Sequence, residues 1–196
     1  MKILLISPCS PKYMADKYFM SPAPGVVRLA AYLQKHDIDA VWHDPNLHLV
    51  TGEGDDLPTV IFSRDWDIIG FSCLDETLPT DMQNMHIAAN LKPNAIIVAG
   101  GIEAQFNYQT ILDKTPTRIA IIGEGEIPML MLAQGKPWQD IPGVIFKNPA
   151  QPLTQEIFND ATLAIPWEDI PYEPYWDHYV AKYGERLTAT NEQEIH

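Results

Sequence analysis

The chain has 196 residues, 46% hydrophobic and 20% charged, which suits one globular domain plus an appendage, with a core that needs no covalent staples. Its formal charge of -13 argues against nucleic acid, whose phosphates demand a Lys/Arg surplus, and equally against an anionic membrane surface. Two cysteines, Cys9 and Cys73, make neither a disulfide framework nor a Cys-x-x-Cys spacing, so no zinc or iron–sulfur site is expected.

At the N-terminus, "MKILLISPCSPKYM" carries one early lysine and an apolar run too short for a signal sequence or a membrane span, so a cytoplasmic protein is expected. Ile3 to Ile6 reads as a buried strand ended by Ser-Pro, followed by a proline-rich loop. Val26 to His36 has helical periodicity, and "IDAVWHD" is a second strand. The polar stretch from Asn46 to Asp56 reads as a loop and "LPTVIFSRD" as a short helix. "WDIIGFSCL" is the third strand, with β-branched and aromatic content. "LPTDMQNMHIAANLKP" then sets Met82, Met85, Ala88 or Ala89, and Leu91 on one helical stripe. "NAIIVAGG" is the fourth strand, "IEAQFNYQTILDKTP" a helix, "TRIAIIGEGE" the fifth strand and "IPMLMLAQG" a further helix.

Five nearly continuous apolar strands alternating with helices predict an α/β fold. The sheet is expected to be parallel, five-stranded and doubly wound, of the flavodoxin/Rossmann-like type. Beyond Gly135 the texture changes, with seven prolines between Pro137 and Pro174 and one isolated strand-like run, "GVIFKN". A hairpin over residues 143–155 and then a proline-rich connecting arm are expected there, the last ten residues reading as a severed end or a mobile tail. Residues 1–136 therefore read as the α/β domain and residues 137–196 as hairpin and connector.

In open α/β sheets ligands bind beyond the carboxyl ends of the strands. That rule selects "SPCSP", "HDPNLH", "SCLDET", "GGIE" and "GEGE". Gly100, Gly101, Gly123 and Gly125 supply positive φ or close backbone approach. A tight turn explains any one of them; two such turns at adjacent strand ends favour a flat ligand lying near the backbone. Neither turn matches G-x-G-x-x-G or a lysine-bearing phosphate loop, and Glu103, Glu124 and Glu126 oppose dense phosphate. The helix dipole alone explains Glu126. Glu124, between two glycines, is set to accept from amide or hydroxyl donors of a ligand.

Ser72 either donates to a buried ligand or caps the next helix. Cys73 reads as a small buried filler, because no base can be placed beside it for thiol catalysis. His43 reads as a surface residue, whereas His48 can reach a ligand with Asp44 fixing its tautomer. The acidic cluster of a phosphoreceiver domain is missing from "SPCSP".

"SPAPGVVRLAAYLQKHDIDAVWHDPN", "WDIIGFSCL", "IIVAGGIEA" and "IAIIGEGEIPMLML", in this order, resemble the N-terminal cobalamin (B12)-binding domain of B12-dependent radical SAM enzymes. "IPGVIFKN" and "IPWEDIPYEPYWDHY" resemble the connector to the catalytic barrel of those enzymes. The resemblance implies a cobalamin tail inserted at the sheet edge, lined by Ser72, Cys73 and Thr77, with Gly100, Gly101 and Glu103 beside them. Gly123, Glu124 and Gly125 would complete the slot, Pro24 and Gly25 would shape its rim, and Asp44, Asn46 and His48 join the cofactor-binding candidates.

The motif Asp-x-His-x-x-Gly, which supplies an axial histidine to cobalt, is absent; Asp44, His48 and Gly52 stand at longer gaps. The radical SAM signature Cys-x-x-x-Cys-x-x-Cys is also missing, so SAM and a 4Fe-4S cluster would belong to a domain outside this chain. No catalytic or metal-ligating residue is assigned. The implied function is a cobalamin module of a radical SAM enzyme, most commonly a methyltransferase, partnered by that radical SAM domain. The competing reading is a stand-alone binding or regulatory domain of the same fold with another ligand or none.

Overall fold

The computed structural model describes residues 1–9, 22–147, 166–170 and 172–183. The chain runs β1 (Lys2–Ile6), α1 (Pro24–Lys35), β2 (Asp39–His43), α2 (Pro45–Thr51), α3 (Leu57–Phe62) and β3 (Ile68–Ser72). It continues through α4 (Leu78–Leu91), β4 (Ile96–Gly100), α5 (Ile102–Lys114), β5 (Ile119–Ile121), α6 (Glu126–Ala133), β6 (Val144–Phe146) and α7 (Glu173–Tyr183). The strands form one sheet in the order β2-β1-β3-β4-β5-β6. The first five are parallel. The order reverses between β1 and β3, the switch point at which doubly wound sheets open a crevice.

Strand periodicity divides the core. Leu4, Ile6, Ile69, Phe71, Cys73 and Ile97 pack on one face with Leu57 and Ile61 of α3, Met85 of α4 and Ile111 of α5. Ile3, Leu5, Ile68, Val98, Ile119 and Ile121 pack on the other with Val26 and Leu33 of α1 and Met129 of α6. Both faces are covered, which is why the strands read as unbroken apolar runs rather than alternating ones. No helix among the described residues is long and apolar enough to cross a membrane.

Three elements depart from expectation. The stretch expected as a loop from Asn46 contains α2: Asp44 caps it by accepting from Asn46 N at 3.0 Å, Pro45 occupies its first turn, and Gly52 at φ 74° ends it. The sheet has six strands rather than five, because β6 pairs antiparallel with β5. Gly143 makes this possible: its carbonyl accepts from Ile122 N at 2.9 Å, and an added Cβ would lie 2.8 Å from Ile122 O. The described part of the expected connecting arm includes helix α7. It docks through Tyr175, only 4% exposed, against Leu47 and Val50. The second half of the expected hairpin, residues 148–155, and the tail beyond residue 183 lie outside the described residues.

Candidate functional site

At the carboxyl edge of the sheet lies a cavity of about 380 Å3. This is within the range of small-molecule sites. Leu5, Gly70, Ser72, Val98, Gly100 and Ile121 form its floor, one from β1 and the rest from β3, β4 and β5. They share one sheet face by the strand period of two, which brings Ser72 to the cavity and turns Cys73 into the opposite core. The walls are α1, through Gly25, Val26, Arg28 and Leu29, and α6, through Glu126 and Met129. Ile102 and Gln105 of α5 and the turn Gly123–Glu124–Gly125 complete the lining.

The glycines there are not equivalent. Gly101 has φ 83°, and a Cβ on it would lie 2.8 Å from Cys73 N and O. The adjoining backbone also closes tightly, Cys73 N donating to Gly100 O at 2.9 Å and Glu103 N to Cys73 O at 3.2 Å. Gly101 is thus demanded by the turn itself, and Gly123, at φ 77°, by its backbone conformation. A Cβ on Gly100 would meet nothing nearer than Phe71 O at 4.0 Å, and one on Gly25 nothing within 4 Å. On Gly125 the nearest atom is Leu29 Cδ2 at 3.5 Å, an ordinary contact. No neighbouring atom among the described residues forbids a side chain at these three positions; what their absence leaves is room.

Arg28 spans the slot from α1 to the β5–α6 turn. Its Nε donates to Glu126 Oε1 at 2.6 Å and its Nη2 to Glu124 Oε2 at 2.5 Å. The Glu126 side chain is 2% exposed and that of Glu124 42%. Glu126, expected only to start a helix, therefore carries a buried ion pair as well, while its place in the first turn of α6 suits the dipole. Sequence reasoning passed over Arg28. The signal was a cation three residues after Gly25, near the start of a helix that begins at the sheet edge and on the same helical face.

Six of the twelve residues proposed from sequence line the cavity: Ser72, Gly100, Gly101, Gly123, Glu124 and Gly125. The other six do not line it, and all of them except the half-buried His48 are buried. Thr77 is fully buried, donating to Asp81 Oδ2 at 2.6 Å. Glu103 accepts from Asn107 Nδ2 at 2.5 Å. Asp44 accepts from Asn46 Nδ2 at 2.7 Å and from Tyr175 Oη at 2.9 Å, and Asn46 Nδ2 reaches Pro8 O at 2.9 Å. His48 Nδ1 lies 3.0 Å from Gly54 O. Burial pushes the Cys73 thiol well above its ordinary value, with Asp81 and Glu103 adding to the effect, so it stays a protonated packing group. Burial likewise raises the carboxyl of Asp44, against the hydrogen bonds that favour its charge.

A slot with an apolar floor, three open glycines and one carboxylate–guanidinium rim has the shape and chemistry to hold and orient a ligand; among the described residues, no nucleophile–base pair faces it. Comparison with curated proteins gives no match. Among solved structures, the cobalamin-dependent S-adenosylmethionine radical enzyme OxsB, with aqua-cobalamin and S-adenosylmethionine bound, is similar at a TM-score of 0.63 and 14% identity. That match covers 81% of this chain and 22% of OxsB. The radical S-adenosylmethionine methyltransferase TsrM from Kitasatospora setae, with cobalamin and a 4Fe-4S cluster bound, is similar at 0.59 and 17% identity. Here 84% of this chain and 31% of TsrM are covered. At such identities the likeness is one of fold, and the chain spans less than a third of either enzyme. The B12-binding domain model matches residues 13–133, more than half of the sequence. The chain belongs to the B12-binding domain family, whose cofactor is cobalamin.

Proposed function

We propose that this chain is the cobalamin module of a B12-dependent radical SAM enzyme, with residues 1–136 as the cofactor-binding part and residues 137–196 leading toward the catalytic domain. The observation that carries the reading is the slot at the switch-point edge, where Gly25, Gly100 and Gly125 leave space that no neighbouring atom among the described residues requires. A cavity of about 380 Å3 takes the base-and-sugar tail of the cofactor and leaves the macrocycle outside, over the strand-end loops. Ser72 is a hydroxyl partner for the tail on the cavity floor, Val98 and Ile121 pack against its apolar faces, and Glu124 accepts from donors at the rim.

Cys73, Thr77 and Glu103 act one layer out, holding the turns from which the slot is built, while Asp44, Asn46 and His48 hold the β2–α2 junction at a neighbouring strand end. Bound there, the cofactor supplies methyl-transfer chemistry to a radical SAM domain of the parent chain. That domain would carry SAM and the iron–sulfur cluster, since this sequence has only two cysteines.

Hydroxocobalamin mixed with the protein and passed through gel filtration should co-elute, with its visible absorption at the protein peak. Protein eluting without that absorption rejects the reading and favours a domain with another ligand or none. His48→Ala should leave the bound spectrum unaltered, because the ring of His48, on α2, is engaged at the Gly54 carbonyl beyond the end of that helix and does not line the cavity. A clear spectral change in that variant would mean that the histidine reaches the cobalt.

A further inference from the structure

Among the described residues, the charged side chains that line the slot are Arg28, Glu124 and Glu126, one cation against two carboxylates. Arg28 is committed first to Glu126, a carboxylate 2% exposed at 2.6 Å, because a buried charge stripped of its partner is strongly destabilising. Glu124 takes the other edge of the guanidinium through Oε2 and keeps 42% of its side chain exposed at the rim. The starts of α5 and α6 face the same cavity and favour negative charge, a demand already met by Glu103 in the first turn of α5 and Glu126 in that of α6. Among the described side chains, a further anion brought to the rim therefore meets more carboxylate than cation, whereas a neutral N–H donor meets an oriented acceptor.

We propose that Glu124, positioned by Arg28, is a specificity determinant that admits corrinoids with intact peripheral carboxamides and rejects those in which the amide at this rim has been hydrolysed to a carboxylate. The inference rests on the cobalamin reading above. An amide and a carboxylate have nearly the same shape, so pocket volume cannot separate them. A fixed acceptor carboxylate can, since one form donates a hydrogen bond and the other repels. Because Glu124 occupies one point on the rim, it reads one edge of the macrocycle, and a single isomer of the monocarboxylic derivatives should stand out.

The test is equilibrium binding of cyanocobalamin and of its separated monocarboxylic acid isomers, by absorption titration at neutral pH and low salt. At least one isomer should bind wild type about tenfold more weakly than cyanocobalamin, ~1.4 kcal/mol. Glu124→Gln should bring that isomer to within about twofold of cyanocobalamin, and its side chain is exposed enough for the fold to survive, which circular dichroism checks. All isomers binding wild type within about twofold of cyanocobalamin overturns the inference and leaves the cobalamin reading standing. So does a tenfold preference that persists in Glu124→Gln. If neither cyanocobalamin nor any derivative binds, both fall.

Discussion

Gly100 and Gly101 are neighbours that differ in what holds them as glycine. Gly101 is fixed by a left-handed φ of 83° and by backbone atoms 2.8 Å from any Cβ. Gly101→Ala should therefore cost about 2–4 kcal/mol in denaturant unfolding, strain plus overpacking. Gly100→Leu should leave unfolding within about 1 kcal/mol of wild type and abolish cobalamin retention, because its side chain enters the slot. Equal stability losses in the two variants would defeat the distinction.

Asp81 offers a second test at this scale. It is 1% exposed, and burial raises its carboxyl to about 7 despite hydrogen bonds from Thr77 and Cys9 N. In the unfolded chain it titrates near about 3.9, so its contribution is intact below about pH 4 and is lost as pH rises to about 7. Asp81→Asn should therefore gain on wild type across that window, by about 1–3 kcal/mol at pH 8 in urea unfolding. A difference that does not change with pH would contradict the assignment.

Among the elements, α2 and α7 are joined by a contact that neither helix announces. Tyr175 Oη donates to Asp44 Oδ2 at 2.9 Å across 131 residues of sequence, while Asp44 also caps α2 and binds Asn46. Tyr175→Phe removes a buried hydroxyl from a carboxylate and should destabilise by about 1–3 kcal/mol. Amide exchange should speed up in α7 and α2 before the parallel strands, since the helix ends part locally while the sheet stays closed. Uniform acceleration across the sheet would show that the contact supports the whole fold instead.

The same two helices mark how far elements were legible. Asp44-Pro45 at the start and Gly52 at the end of α2 are start and stop signals, yet seven residues of mixed polarity carry too short a period to register. β6 is three residues long, and its pairing depends on how Gly143 turns it back along β5. In α7 the apolar stripe is aromatic and interrupted, so its partner surface, not its period, makes it a helix.

For the molecule as a whole, cofactor binding is linked to stability. Ligand held only by the native state stabilises it by ~2.7 kcal/mol at a hundredfold excess over Kd, or about 5–10 °C in Tm for a domain of this size. Scanning calorimetry with hydroxocobalamin should show that rise in wild type and none in Gly100→Leu. A rise of equal size in both would place the cofactor away from the slot. The overall acidity of the chain, with a formal charge of -13, is consistent with a neutral-edged ligand and a protein partner.

What the amino-acid order alone determined was the architecture. Strands buried on both faces must be continuously apolar and alternate with amphipathic helices, and that pattern survives without knowledge of any long-range contact. It also located the edge where the cavity opens, because strand-end turns in a parallel sheet all emerge on one side. Only the tertiary structure decided which side chains share the slot. Ser72 and Cys73 are adjacent in sequence and divided by the pleat, and Arg28 meets Glu124 across 96 residues. Thr77 and Glu103 belong to the right turns yet are spent on Asp81 and Asn107. Periodicity is a local property that sequence carries; the direction of a side chain at a turn, and the partner it meets, depend on how distant segments pack.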